Sequence, residues 1–130
     1  MINIIINGRP IAVEEGTTLL EAARSADIDI PTLCHHTALT PYGACRICLV
    51  EIKAGGKPGL VASCHFLARE GMVVETDTPE VGKTRKVVLE LLLARTPGSD
   101  VLKELAVKLG LEKSRLQRKE TDDCILCGRC

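Results

Sequence analysis

The chain is poor in aromatic residues: it has no Trp, one Tyr (Tyr42) and one Phe (Phe66). Its core must therefore be aliphatic, and Ile, Leu, Val and Ala supply most of the apolar 45%. An excess of charge is missing too, with 17 Lys+Arg set against 17 Asp+Glu. Without a long-range basic field the chain is not expected to attract nucleic acid, and it has no strongly acidic surface either. Long hydrophobic runs are absent. The densest, from Val87 to Ala94, is broken by Glu90 and is far too short to span a bilayer. Met1 to Gly8 has no basic leader and only a short apolar stretch, unlike a signal peptide. At 130 residues the chain suits one domain, or one with a fragment attached, and would bury about two-thirds of its unfolded surface on folding.

Cysteine is what the sequence has in surplus. Seven thiols, an odd number, in a chain with no export signal argue for a reducing cytoplasm and for metal ligation over a disulfide framework. Four of them, Cys34, Cys45, Cys48 and Cys64, are separated by ten, two and fifteen residues and read as a ligand set. Soft thiolates select zinc or iron-sulfur clusters. Structural four-cysteine zinc sites usually show two close pairs, whereas this stretch has one pair and two distant single ligands, in the asymmetric manner of [2Fe-2S] sites. Both readings use the same four residues, and a zinc-stabilised interaction module without a redox role is the alternative. Gly43, just before the close pair, lacks a side chain and so would let backbone amides approach the sulfur atoms; a plain turn glycine is the competing reading. His35 and His36 raise a Rieske-like mixed site, but four cysteines already satisfy the centre and Rieske ligands come as separated Cys and His pairs. Arg46 either docks a partner, steadies the loop or is a surface charge.

Around this stretch the pattern is α+β. Ile2, Ile4 and Ile6 alternate with polar or outward positions, Asn7-Gly8 is a strong hairpin turn, and Ile11 to Val13 resumes an extended run. Thr18-Leu19-Leu20-Glu21 has capping-box spacing and opens a short helix that should stop near Asp27. After the irregular passage from Pro31 to Gly43, strands are expected at Leu49 to Lys53, Leu60 to Ala62 and Met72 to Glu75. That order suits one helix laid across a mixed sheet, as in a β-grasp. Thr78-Pro79-Glu80 starts a further helix, with Val81, Val88 and Leu92 as its buried stripe flanked by Val87 and Leu91, up to about Ala94. Another helix is expected from Asp100 to Leu109, burying Val101, Leu102, Leu105 and Leu109, and stopping at Gly110. Leu111 to Asp123 reads as a charged connector with a helical turn at Ser114 to Gln117.

The sequence closes on Cys124, Cys127 and Cys130, the spacing with which bacterial ferredoxin-type domains open a [4Fe-4S] site. Three ligands are present and a fourth is needed, so these residues are expected to be the front of a longer protein. The expected division is 1–78 for the β-grasp [2Fe-2S] domain, 79–123 for a helical extension and connector, and 124–130 for the start of an incomplete [4Fe-4S] motif.

Glu15-Gly16-Thr17-Thr18-Leu19-Leu20-Glu21-Ala22-Ala23, Ile30-Pro31-Thr32-Leu33-Cys34, the Gly43 to Glu51 stretch, Ala62-Ser63-Cys64 and Gly71 to Val74 together resemble one family. It is the N-terminal [2Fe-2S] ferredoxin domain of the large iron-sulfur subunit of respiratory complex I, shared with iron-only hydrogenases and NAD-linked formate dehydrogenases. The resemblance implies a β-grasp, ferredoxin-like fold, cluster ligands at Cys34, Cys45, Cys48 and Cys64, and one-electron transfer in a multi-subunit oxidoreductase. Other subunits, carrying flavin or metal, would then be its partners and perform the catalysis. From Arg95-Thr96-Pro97-Gly98 the sequence departs: complex I members carry there a histidine and three cysteines for a further [4Fe-4S] cluster. This chain has neither, which favours a smaller oxidoreductase assembly.

Overall fold

A computed structural model describes residues 1–112, 114–116, 124 and 126–130. Strands β1 (Ile2–Ile6) and β2 (Arg9–Val13) form the antiparallel hairpin, with Asn7 and Gly8 both at positive φ (52° and 76°), as a turn matching the strands' twist requires. Helix α1 (Leu19–Ser25) follows, then a long irregular passage, β3 (Leu49–Ala54), β4 (Gly59–Ala62) and β5 (Val73–Glu75). The sheet order is β2-β1-β5-β3-β4, with β1 and β5 parallel and the other neighbours antiparallel. The mixed five-stranded sheet with one helix against it is the expected α+β arrangement. The Asn7 side chain closes it, accepting from the Thr76 N–H (2.8 Å) and donating to the Thr76 hydroxyl (2.7 Å), so the hairpin turn is tied to the end of β5.

Alternation along β1 sends Ile4 and Ile6 inward, where they meet Leu19, Leu20, Ala22 and Ala23 of α1 together with Val50, Ile52, Met72 and Val74. The capping box is present in full: the Glu21 N–H donates to the Thr18 hydroxyl, and the Glu21 carboxylate accepts from both the Thr18 N–H (2.9 Å) and its hydroxyl (2.8 Å). Ahead of it, α1 is docked rather than frayed, because its Leu19 and Leu20 N–H groups donate to the Phe66 and Ser63 carbonyls.

Helices α2 (Pro79–Arg95) and α3 (Asp100–Lys108) start at the hydroxyl caps Thr78 and Ser99. Their buried faces differ from the expected ones. In α2 the fully buried positions are Val81, Arg85, Leu89 and Glu90, whereas Val87 and Leu91 are exposed and Val88 and Leu92 are only partly covered. A charged residue thus occupies the middle of the stripe, which an apolar count passes over. In α3, Val101 faces outward and Ala106 joins Leu102 in the interior. The helices and Leu33 enclose a second apolar cluster, separate from the sheet core. Ser114 to Leu116 form no helical turn; Gln117 and the rest of the expected connector up to Asp123 lie outside the described residues. The described part is pinned by Arg115, which grips the buried Glu90 carboxylate with Nε and Nη2 at 2.9 to 3.1 Å. Among the described residues no helix is long and apolar enough to cross a membrane.

Replacing Thr18 with Ala should cost about 1 kcal/mol in chemical unfolding, the usual worth of such a cap. Glu21 adds a pH signature. The Thr18 N–H and hydroxyl hold its carboxyl below the ordinary 4.5, so the stabilisation is present above that value and is lost as pH falls through the lowered folded-state pKa. The stability gap between wild type and Glu21→Gln should therefore be largest near neutrality and close on acidification below about pH 4.5.

Candidate metal centre

The passage from Ile30 to Cys48 is fixed at its two ends and built to present sulfur between them. Ile30 is anchored in the sheet core, while Ile47 and Cys48 run into β3. Two residues adopt positive φ on the way, Gly43 (67°) and Arg46 (62°). At Arg46 the left-handed backbone turns the chain between Cys45 and Cys48 and leaves the side chain exposed. A side chain at Gly43 would also crowd its neighbour: a Cβ there would stand 2.5 Å from Nδ1 of the exposed His65 ring, which would have to shift. Cys64 is placed from the opposite side, by the turn after β4. There the Ser63 hydroxyl and N–H both donate to the Cys48 carbonyl (2.7 and 3.2 Å), and Ser63 accepts from the N-terminus of α1.

The four expected cysteines are all buried and free of disulfides. They lie near one another two by two, Cys34 beside Cys45 and Cys48 beside Cys64, and close enough overall that Cys64 feels the charge of all three others. Cys48 and Cys64 belong to the sheet core, whereas Cys34 and Cys45 belong to the cluster under α2 and α3. The site therefore lies in the seam between the two apolar bodies. Among the described residues no three His, Cys, Asp or Glu side chains are already arranged as the ligands of a single metal ion. Pairs are what two irons require, each taking two thiolates; a tetrahedral zinc needs all four about one point.

Backbone donors converge on these sulfurs. The N–H groups of Cys34 and Ile47 each point at Cys45 Sγ from 3.4 Å. Burial pushes the Cys34 thiol up, but N–H groups of Cys45, Ala44 and Gly43 and the Cys45 thiol outweigh it and bring it below its ordinary value. Burial raises Cys45, and burial with the neighbouring charge of Cys48 pushes Cys64 up to about 12. Such thiols hold their protons until a metal displaces them, so loading would release protons. The chemistry of this donor set, all sulfur and amide in a water-poor aliphatic shell, fits an iron-sulfur centre.

Sequence reasoning missed Arg85. From α2 it donates through Nε to the Ile47 carbonyl (2.7 Å) and through Nη2 to the Leu49 carbonyl (2.6 Å), the carbonyls of the residues before and after Cys48. The one signal available was its spacing, four residues from both Val81 and Leu89. His35 and His36 do not join the four thiols: His36 Nδ1 accepts from the Ala38 N–H, and burial lowers the His35 pKa while its Nδ1 lacks a hydrogen-bond partner among the described residues. Cys124 is half-buried and Cys127 and Cys130 are exposed; all three border an open groove of about 460 Å³ together with Cys34, His35 and His36. Arg129 holds this end against the cysteine loop, donating to the Thr40 carbonyl (2.7 Å) and lying 5.0 Å over the Tyr42 ring.

A mixed sheet crossed by one helix, with paired buried thiols presented by a long loop, defines an iron-sulfur domain of ferredoxin type. The chain belongs to the family described as a 2Fe-2S iron-sulfur cluster binding domain, which matches residues 1–79. Among curated relatives, the mitochondrial NADH dehydrogenase [ubiquinone] iron-sulfur protein 1 of Solanum tuberosum is 34% identical over 154 residues, covering 100% of this chain and 21% of its own length. NADP-reducing hydrogenase subunit HndD of Solidesulfovibrio fructosivorans is 35% identical over 159 residues, covering 100% and 27%. Both alignments are longer than this chain's 130 residues, so these relatives carry segments that it lacks. A chain in the crystal structure of an NAD+-reducing [NiFe]-hydrogenase in the H2-reduced state superposes with TM-score 0.81 at 28% identity, covering 95% of this chain and 55% of that one. The chain thus spans about a fifth to a quarter of the length of these curated relatives.

Gly43→Ala should lower iron and sulfide content per purified chain, because the new methyl meets the His65 ring and the positive φ is strained. Adding His65→Ala relieves the steric part alone, so the double variant should recover part of the content but remain below wild type.

Proposed function

We propose that the chain is the electron-transfer segment of a multi-subunit oxidoreductase, holding one [2Fe-2S] centre through Cys34, Cys45, Cys48 and Cys64. The observation that carries this reading is the gathering of four buried, uncrosslinked thiols two by two with main-chain N–H groups aimed at sulfur. When bound, such a centre takes up and returns a single electron by a change of iron valence. Cys34 and Cys45 would hold one iron, and Cys48 and Cys64 the other. The Cys34 and Ile47 amides place positive hydrogen atoms against sulfur and favour added negative charge, while the aliphatic shell opposes it; the balance between them sets the potential. The loop ends, α1 and Arg85 keep the sulfurs in place through the valence change.

Catalysis would belong to other subunits or to segments outside these residues, at a flavin or metal site, in a cytoplasmic NAD(P)H dehydrogenase, hydrogenase or formate dehydrogenase assembly. The relatives' names, an NADH dehydrogenase and an NADP-reducing hydrogenase, support that class of partner. Within the chain, 1–78 would carry the cluster fold, 79–123 the cover and connector, and 124–130 the opening of a [4Fe-4S] site through Cys124, Cys127 and Cys130, completed by a ligand from elsewhere.

Purified anaerobically, the protein should be red-brown with iron and acid-labile sulfide in equal amounts; a colourless protein carrying zinc and no sulfide would be the interaction module instead. Cys48→Ser should abolish or badly perturb the visible [2Fe-2S] spectrum, whereas Cys124→Ser should leave it intact. Equal loss from both would refute the division into two sites.

A further inference from the structure

Resting on the iron-sulfur reading above, we propose that Arg85 is the positioning residue of the centre: it clamps the two carbonyls that bracket Cys48 and supplies a fixed positive charge that favours the reduced state. Val81, Arg85 and Leu89 stand at four-residue intervals on one face of α2, and Val81 and Leu89 are fully buried. Arg85 is itself only 6% exposed. A guanidinium in such a place is costly unless its donors are satisfied. Its partners are the Ile47 and Leu49 carbonyls, at 2.7 and 2.6 Å, so the helix fastens the backbone immediately before and immediately after a proposed ligand. The planar fork spans both acceptors at once, which a lysine ammonium on its flexible stem does not.

Those acceptors are neutral, and among the described residues no carboxylate forms an ion pair with Arg85. Its charge is therefore not cancelled locally. The groups that act on it from neighbouring elements are Asp77 and Asp29, both exposed and screened by water, and the Cys48 sulfur. Reduction adds one negative charge to the thiolate-held centre, and a buried cation beside one of its ligands stabilises that charge more than a solvated one would. Hydrogen bonding and charge can be separated by substitution. Arg85→Lys keeps the charge and gives up the fork; Arg85→Met keeps bulk and gives up both.

The test uses the whole chain purified anaerobically with its centre in place, titrated with dithionite in the presence of mediators and followed by visible absorbance, alongside the rate of iron release to a chelator. For Arg85→Met the equilibrium between reduced and oxidised forms should move at least tenfold toward the oxidised, about 59 mV more negative for one electron. Arg85→Lys should stay within threefold of wild type in that equilibrium while releasing iron several-fold faster. A red-brown Arg85→Met protein with wild-type potential overturns the proposal alone. Should Arg85→Met fail to take up the centre, Arg85→Lys decides: wild-type release, or a tenfold change in the equilibrium, overturns it. Zinc without sulfide in the wild-type protein is a different failure, since it removes the iron-sulfur reading and this proposal together.

Discussion

The structure depends on how the backbone around Cys48 is held. Its carbonyl accepts from both Ser63 donors, and the carbonyls of its two neighbours accept from Arg85. One attachment comes from the turn after β4, which carries Cys64 and is itself fastened to α1; the other comes from α2. Four sulfurs that repel one another when ionised cannot gather unless the main chain beneath them is fixed. Here the fixing is done by polar contacts from the turn after β4 and from α2, and the apolar packing of two clusters closes around them.

That arrangement gives the helical extension a different standing from the one its place in the sequence suggests. A segment following the sheet fold reads as an appendage, and the family match to residues 1–79 stops at its first residue. Yet Leu89, Leu102 and Ala106 pack in the same cluster as Cys34, Cys45 and Ile47. The sheet body covers one thiol pair and α2 with α3 covers the other. Without these helices, Cys34 and Cys45 would lose the apolar neighbours that now surround them. The cover is thus part of the site's dielectric environment, although no ligand comes from it.

What could be read from the sequence is what local chemistry dictates. Asn7-Gly8, the Thr18 to Glu21 capping box, the Thr78 cap, and the alternation of Ile4 and Ile6 act within a few residues, and each element begins where its signal lies. The four thiols that prove to be buried could be picked out as a candidate set because cysteine spacing is itself a chemical pattern. Arg85 was not, because its partners are 36 and 38 residues away and no local rule distinguishes a buried guanidinium from a solvated one. The same limit misplaced the buried stripe of α2: Val87 and Leu91 look like core residues, but the helix turns Arg85 inward, where it meets the Ile47 and Leu49 carbonyls.

Helix α2 buries two charges and treats them differently. Glu90, as deeply buried as Arg85, is met by Arg115 with a planar fork whose outer side reaches solvent, so its field is cancelled at contact distance. Arg85, five residues earlier on the cysteine side, hydrogen-bonds only to two peptide carbonyls, with the exposed carboxylates of Asp77 and Asp29 and the Cys48 sulfur acting on it from a distance. If burial of charge served stability alone, both would be expected to carry an opposite ion, since an unpaired interior charge is the costlier arrangement. A positive field left standing beside Cys48 is wasteful in the thiol form. In the proposed role it would become favourable once the sulfurs are ionised, and more so with a further negative charge on the centre they would hold.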